Sequence, residues 1–214
     1  GSEMCIRDSI MSETAQLILN GETYEFPIIE GSEKEKAIDI SKLRVQTGYI
    51  TLDYGFKNTG STQSAITYLD GENGILRYRG YSIEELAENA SFIEVAYLLI
   101  YGDLPNAEQL KYFQEGITHH TLVHENMKRF FEAFPPGAHP MGMLSSMISS
   151  LSTFYPESQN PNRSVVDIEL TIHRLIAKLP TLAAQAYKHN MGHPTVYPSN
   201  KLSYCGNFLL MMFA

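Results

Sequence analysis

The sequence predicts a mainly α protein with a small amino-terminal β segment, and three observations point there. From Ser82 onward, capping signatures recur, each leading into apolar residues at helical spacing. The β-prone runs are short and lie ahead of Ser82, around Asn20-Gly21, Asp70-Gly71 and Asn73-Gly74. Hydrophobic residues make up 43% of the 214 and charged residues 19%, the ordinary globular range. A chain of this length buries a sizeable core in one domain or two.

Residues 1–11 read as a non-native leader, because Gly1 to Ile10 has no periodicity and Met11 follows directly. Residues 12–52 form the expected β segment. Leu17-Ile18-Leu19 and Tyr24 to Ile28 flank Asn20-Gly21, a type I′ hairpin signal, and Ile38-Asp39-Ile40 can add a third strand. Lys57 to Ala65 is polar and reads as loop.

Residues 53–214 form the expected helical domain. Ile75 to Tyr78 pairs back on Ile66 to Leu69, and Gly80 ends that hairpin. Ser82 with Glu85, Ser91 with Glu94 and Asn106 with Gln109 each space as a capping box, and Tyr81 with Leu86 as a hydrophobic staple. Gly102 stops the helix that Ser91 opens. Met127 to Phe134 is a further helix, ended by Pro135-Pro136-Gly137. Met141 to Phe154 places Ser145, Ser146, Ser149 and Ser150 on a small-residue face suited to close packing, with Met141, Met143 and Met147 as core. Val165 to Asn190 is long and helical, with a kink or break expected at Pro180. Phe208 to Phe213 is strongly apolar without a capping glycine or basic last turn, which reads as a truncated product.

The net charge of −8, with no basic stripe, argues against a nucleic-acid or anionic-membrane partner. Cys5 and Cys205 are too few for a disulfide framework, so a reducing compartment, the cytoplasm, is the natural address. Met141 to Leu151 is too short and too rich in serine to span a bilayer.

Little in the residues assembles chemistry. His120 and His124 are spaced to share a helical face, but His-Glu-x-x-His is absent because Lys128 stands where the second histidine would be. Capping histidines are favoured over a metal site. His139 before Pro140 reads as a helix-entry histidine rather than a general base. The serines lack a nucleophile elbow. Arg77 and Arg79 suit either an anion or acids such as Glu84 and Glu85.

The run Gly74-Ile-Leu-Arg-Tyr-Arg-Gly-Tyr81, with Asp70-Gly71 ahead and Ile83-Glu84-Glu85-Leu86 behind, resembles the signature of citrate synthases. The resemblance continues through His139-Pro140-Met141, Lys178-Leu179-Pro180-Thr181 and Gly192-His193-Pro194. It carries on from Tyr197-Pro198 to Leu202-Ser203-Tyr204-Cys205-Gly206-Asn207-Phe208-Leu209. In order and spacing these words resemble the amino-terminal half of the hexameric type found in Gram-negative bacteria.

That resemblance implies part of a large helical domain and a role in an enzyme condensing acetyl-CoA with oxaloacetate to citrate and CoA. It also implies a homo-oligomer, dimer or hexamer. In the family the catalytic aspartate and histidines follow the Leu-Ser-Tyr-x-Gly-Asn-Phe stretch, beyond Ala214, so no residue here is assigned a catalytic or metal-binding role and the chain alone is expected to be inactive. By register, His120, Thr121, Tyr155, Arg174 and Lys178 match positions associated with an allosteric site for NADH, an inhibitor of this type. Just before His120 the family has arginine, where this chain has His119. The alternatives are a 2-methylcitrate synthase fragment, using propionyl-CoA, and a non-catalytic helical binding or regulatory module.

Overall fold

A computed structural model describes residues 13–214, so the leader expected over 1–11, Cys5 included, lies outside the described residues. The chain divides into two compact units, one ending at Ser64 and the other running from Ala65 to Ala214.

In the first unit, β1 (Thr14–Leu19), β2 (Glu22–Glu30) and β3 (Lys36–Ile38) form an antiparallel sheet in that order. Asn20 and Gly21 both take positive φ, 53° and 87°, as a type I′ turn requires, which sets Leu19 opposite Glu22. The third strand falls slightly earlier than its expected place, with Ile38 opposite Ile28. A short helix, α1 (Leu43–Thr47), ends on Gly48 in the left-handed conformation. Residues 48–66 form no strand or helix, as the polar composition of their second half suggests.

The second unit opens with β4 (Thr67–Asp70), β5 (Ile75–Tyr78) and β6 (Tyr81–Ser82), antiparallel in that order. Helices α2 (Ile83–Asn89), α3 (Phe92–Tyr101), α4 (Ala107–Thr118), α5 (Met127–Glu132) and α6 (Pro140–Phe154) follow. A 3-10 turn at Pro156–Gln159, α7 (Val165–Asn190) and α8 (Tyr204–Phe213) complete the unit. The caps are largely where the spacing places them. Both hydrogen bonds of a capping box are present at Ser91–Glu94 and at Asn106–Gln109. At Ser82 one direction is made, with Oγ accepting from the Glu85 N–H at 3.2 Å. His139 is the N-cap of α6, its Nδ1 accepting from the Met141 N–H, so it fixes a helix entry.

α7 organises the unit because it serves two apolar clusters. Leu182 and Ala186 join Met127, Phe131, Met143, Met147 and Leu151 in one, while Ala177 joins Ile93, Phe113 and Ile117 in the other.

Several expectations are corrected. α7 is one continuous helix through Pro180, so of the kink or break expected there the break does not occur. The proline has no N–H for the Ile176 carbonyl, and the Tyr204 hydroxyl donates there instead, at 3.0 Å. Met143 and Met147 are core, but Met141 is 60% exposed, since it falls on the opposite side of α6. Ser145, Ser146 and Ser149 are exposed and do not line a packed face within this chain. The Ser146 hydroxyl donates to the Gly142 carbonyl of its own helix. Arg79 does not pair with Glu84 or Glu85. Its guanidinium donates to the Leu99 carbonyl at 3.0 Å, in the last turn of α3, where carbonyls lack helical partners. Arg77 lies over the Tyr68 ring, 5.8 Å from its centre. α4 stops at Thr118, so His120 and His124 do not share a helical face.

Candidate functional site

α4 ends in two histidines that turn back on it. The Nδ1 of His119 lies 2.7 Å from the Glu115 carbonyl and that of His120 lies 2.6 Å from the Gly116 carbonyl. Carbonyls only accept, so both Nδ1 atoms donate. This is the capping role favoured over metal binding. His124 likewise serves the backbone, accepting from the Asn126 N–H.

The chain then crosses α7, which grips three successive carbonyls. Lys178 Nζ donates to the carbonyls of His120, at 2.7 Å, and Leu122. Thr181 Oγ1, one turn on, donates to the Thr121 carbonyl at 2.8 Å. Both side chains are nearly wholly buried, and burial, helped by the Arg174 charge, lowers the Lys178 pKa to about 8. The ammonium is therefore already committed to backbone.

Tyr155 caps the other end of the site, at the C-terminus of α6. The Arg174 guanidinium lies 4.3 Å from its ring centre and the Lys178 ammonium 5.5 Å. Glu157, in the 3-10 turn, pairs with Arg174. A backbone hydrogen bond and that guanidinium hold the Glu157 carboxyl below the usual range, whereas burial raises the Tyr155 phenol.

Two cavities flank α7. The smaller, about 200 Å³, is lined by Tyr155, Arg163, Thr171, Arg174 and Lys178. The larger, about 540 Å³, lies among α3, α4, α7 and α8, with Phe92, Thr121, Pro180, Tyr204 and Met211 in its walls. Of the five candidate residues, three thus share the smaller cavity, Thr121 lines the larger, and His120 reaches Lys178 through its carbonyl. Glu157 and Arg163 carry no sequence signal of their own, since only the fold brings them beside Arg174 and into the cavity. Among the described residues, no group of three or more His, Cys, Asp or Glu side chains is placed to hold a metal ion.

A long helix that serves two cores and carries cavities on its flanks defines a helical scaffold. Residues 55–214 match the family model described as "Citrate synthase, C-terminal domain", and the chain belongs to the citrate synthase family. It is similar to the crystal structure of citrate synthase from Thermotoga maritima MSB8, at 29% identity and a TM-score of 0.64, covering 76% of this chain and 42% of that one. The citrate synthase of Pyrobaculum aerophilum matches at 26% identity and a TM-score of 0.67, over 96% of this chain and 46% of that one. A ternary complex of carboxymethyl coenzyme A and oxaloacetate with the Thermoplasma acidophilum citrate synthase shares the fold at 22% identity. Its TM-score is 0.67, over 76% of this chain and 42% of that one. This chain spans less than half the length of each.

Proposed function

We propose that this chain is the framework portion of a citrate synthase of the hexameric, NADH-sensitive type, residues 53–214 being the amino-terminal part of the large helical domain. The complete enzyme, a cytoplasmic homo-oligomer, takes a proton from the methyl carbon of acetyl-CoA. It then adds that carbon to the ketone of oxaloacetate and hydrolyses citryl-CoA to citrate and CoA. The observation that carries this reading is the family match along nearly the whole helical unit, 55–214. The coenzyme A analogue and oxaloacetate bound to the Thermoplasma protein support the substrate class. No residue of this chain is assigned to the chemistry.

Thiol release from acetyl-CoA in the presence of oxaloacetate tests the proposal. The complete enzyme turns over and this chain by itself does not; turnover by the isolated chain refutes the framework reading. Faster release from propionyl-CoA by the complete enzyme assigns it to 2-methylcitrate synthesis instead.

An NADH site at the smaller cavity is the regulatory part of the proposal. Tyr155, Arg174 and Lys178 in its lining support it, with Arg163 as a further cation. A phosphate at Arg174 competes with Glu157 for the guanidinium charge, and Lys178, with two of its three N–H donors on the His120 and Leu122 carbonyls, keeps one for a ligand. Titration with NADH, read by its fluorescence, is expected to show Arg174→Ala weakening binding by about tenfold or more. Equal binding by the variant removes this site from the reading.

A further inference from the structure

Where α4 crosses α7, Gly116 faces His173. A Cβ built on Gly116 would lie 2.7 Å from His173 Nδ1 and 2.8 Å from Cε1, so this crossing closes only over a glycine. His173 is 4% exposed, and its Nε2 is buried with no hydrogen-bond partner among the described residues. The imidazole leans on the Phe113 ring at 5.1 Å and meets the edge of Tyr112 at 6.1 Å. A neutral imidazole tolerates such a seam, because an acceptor nitrogen can go unpaired at modest cost. A protonated one puts an N–H and a positive charge where no acceptor waits.

The surrounding charges do little to relieve that. On α7 itself, Glu169 offers a carboxylate, but it already accepts from the Tyr101 hydroxyl of α3 at 3.3 Å. From beyond α4, His120 adds a second imidazole, whose Nδ1 is spent on the Gly116 carbonyl. α4 contributes the phenol of Tyr112, and Arg174, next along α7, is turned to Glu157 and Tyr155. Burial pulls His173 below the ordinary histidine value, His120 adds to this, and Glu169 opposes it.

We propose that His173 is a proton-operated latch at the α4–α7 crossing: the neutral ring holds the seam shut, and a proton taken from solvent onto Nε2 opens it. The last turn of α4 and the 119–122 strap behind it are what the opening releases, and Thr121 of that strap lines the larger cavity.

The sign follows from linkage. A histidine whose folded value is depressed stabilises the closed form above its ordinary titration range, and that contribution is lost as pH falls through it. Hydrogen exchange on the full chain at pH 7.5 and 5.5, corrected for intrinsic rates, tests the latch. Amides 113–120 of the wild type are expected to lose protection by up to about tenfold at pH 5.5, set by one pH unit below the reference histidine value of about 6.5. His173→Leu is expected to abolish that loss. An equal loss in the variant, or none in the wild type, overturns the proposal. If the variant does not fold, an NMR titration of the wild-type imidazole decides: a midpoint below about 6.5 upholds the latch and one at or above it overturns it.

Discussion

The hydroxyl of Tyr204 replaces the hydrogen bond that Pro180 withholds from Ile176. In an unbroken α-helix the residue at 180 donates to the carbonyl at 176, and proline cannot. Tyr204, the first residue of α8, supplies the donor at 3.0 Å and stacks on Phe92, with ring centres 5.2 Å apart. Burial pushes its phenol up to about 12, so the donor stays protonated across any working pH. One side chain thereby joins α3, α7 and α8 at the point where α7 is weakest.

Tyr204→Phe leaves the Ile176 carbonyl unpaired and is expected to destabilise the helical unit by about 1–3 kcal/mol in urea unfolding. The diagnostic quantity is the coupling with position 180. In a Pro180→Ala background the helix regains its own N–H donor, so the same Tyr204 substitution should cost less than half as much, by about 1 kcal/mol or more. Strict additivity of the two substitutions would show that the hydroxyl does not compensate for the proline.

Lys178→Met removes the donor shared by the His120 and Leu122 carbonyls and should cost about 2 kcal/mol at neutral pH. The pH dependence is the sharper readout. Lys178 has a folded pKa of about 8, below the ordinary lysine value of 10.5, so its contribution is lost as pH falls through 8 and regained toward 10.5. Wild-type stability should therefore gain, relative to Lys178→Met, between about pH 8 and 9.5. That window ends before the ordinary tyrosine range, where the raised phenols of Tyr101 and Tyr204 act in the opposite direction.

Gly116→Ala tests the closeness of the α4–α7 crossing. Helix propensity favours alanine by about 1 kcal/mol. The new methyl would nonetheless meet the buried His173 ring at 2.7 Å, and overpacking of that kind costs about 1–3 kcal/mol. Net destabilisation in a chemical melt is expected, and a stabilised variant would show that the imidazole moves aside freely.

Asn106→Ala breaks a reciprocal cap in which Asn106 Oδ1 and Gln109 Oε1 each accept from the other's backbone N–H at 2.9 Å. The expected loss is about 1 kcal/mol, with hydrogen exchange accelerated at the start of α4 and little elsewhere.

Much of the candidate site was legible only in pieces. Register alone points to Tyr155, Arg174 and Lys178, and the structure brings them to one cavity. What register could not convey is that Lys178 is bound to two carbonyls, that Glu157 has taken Arg174, and that Thr121 lines a different cavity. Ser145, Ser146 and Ser149 of α6 do not form a packing face within this chain for a related reason. Small residues permit close approach, but only a neighbour decides whether anything approaches.

By itself the sequence determined the local grammar of this protein. It set the I′ turn at Asn20-Gly21, the caps at Ser91, Asn106 and His139, and the left-handed stop at Gly102, because each rests on hydrogen bonds or φ preferences within a few residues. Tertiary structure alone decided that α7 passes through Pro180 and that Met141 faces outward while Met143 and Met147 do not. It also decided that Arg79 reaches the Leu99 carbonyl and that His173 closes on Gly116. Those outcomes depend on partners as far apart as Ile176 and Tyr204, separated by 28 positions, and on which face of a helix another element covers. Neither is encoded in a neighbouring residue; both appear only once the helices have packed.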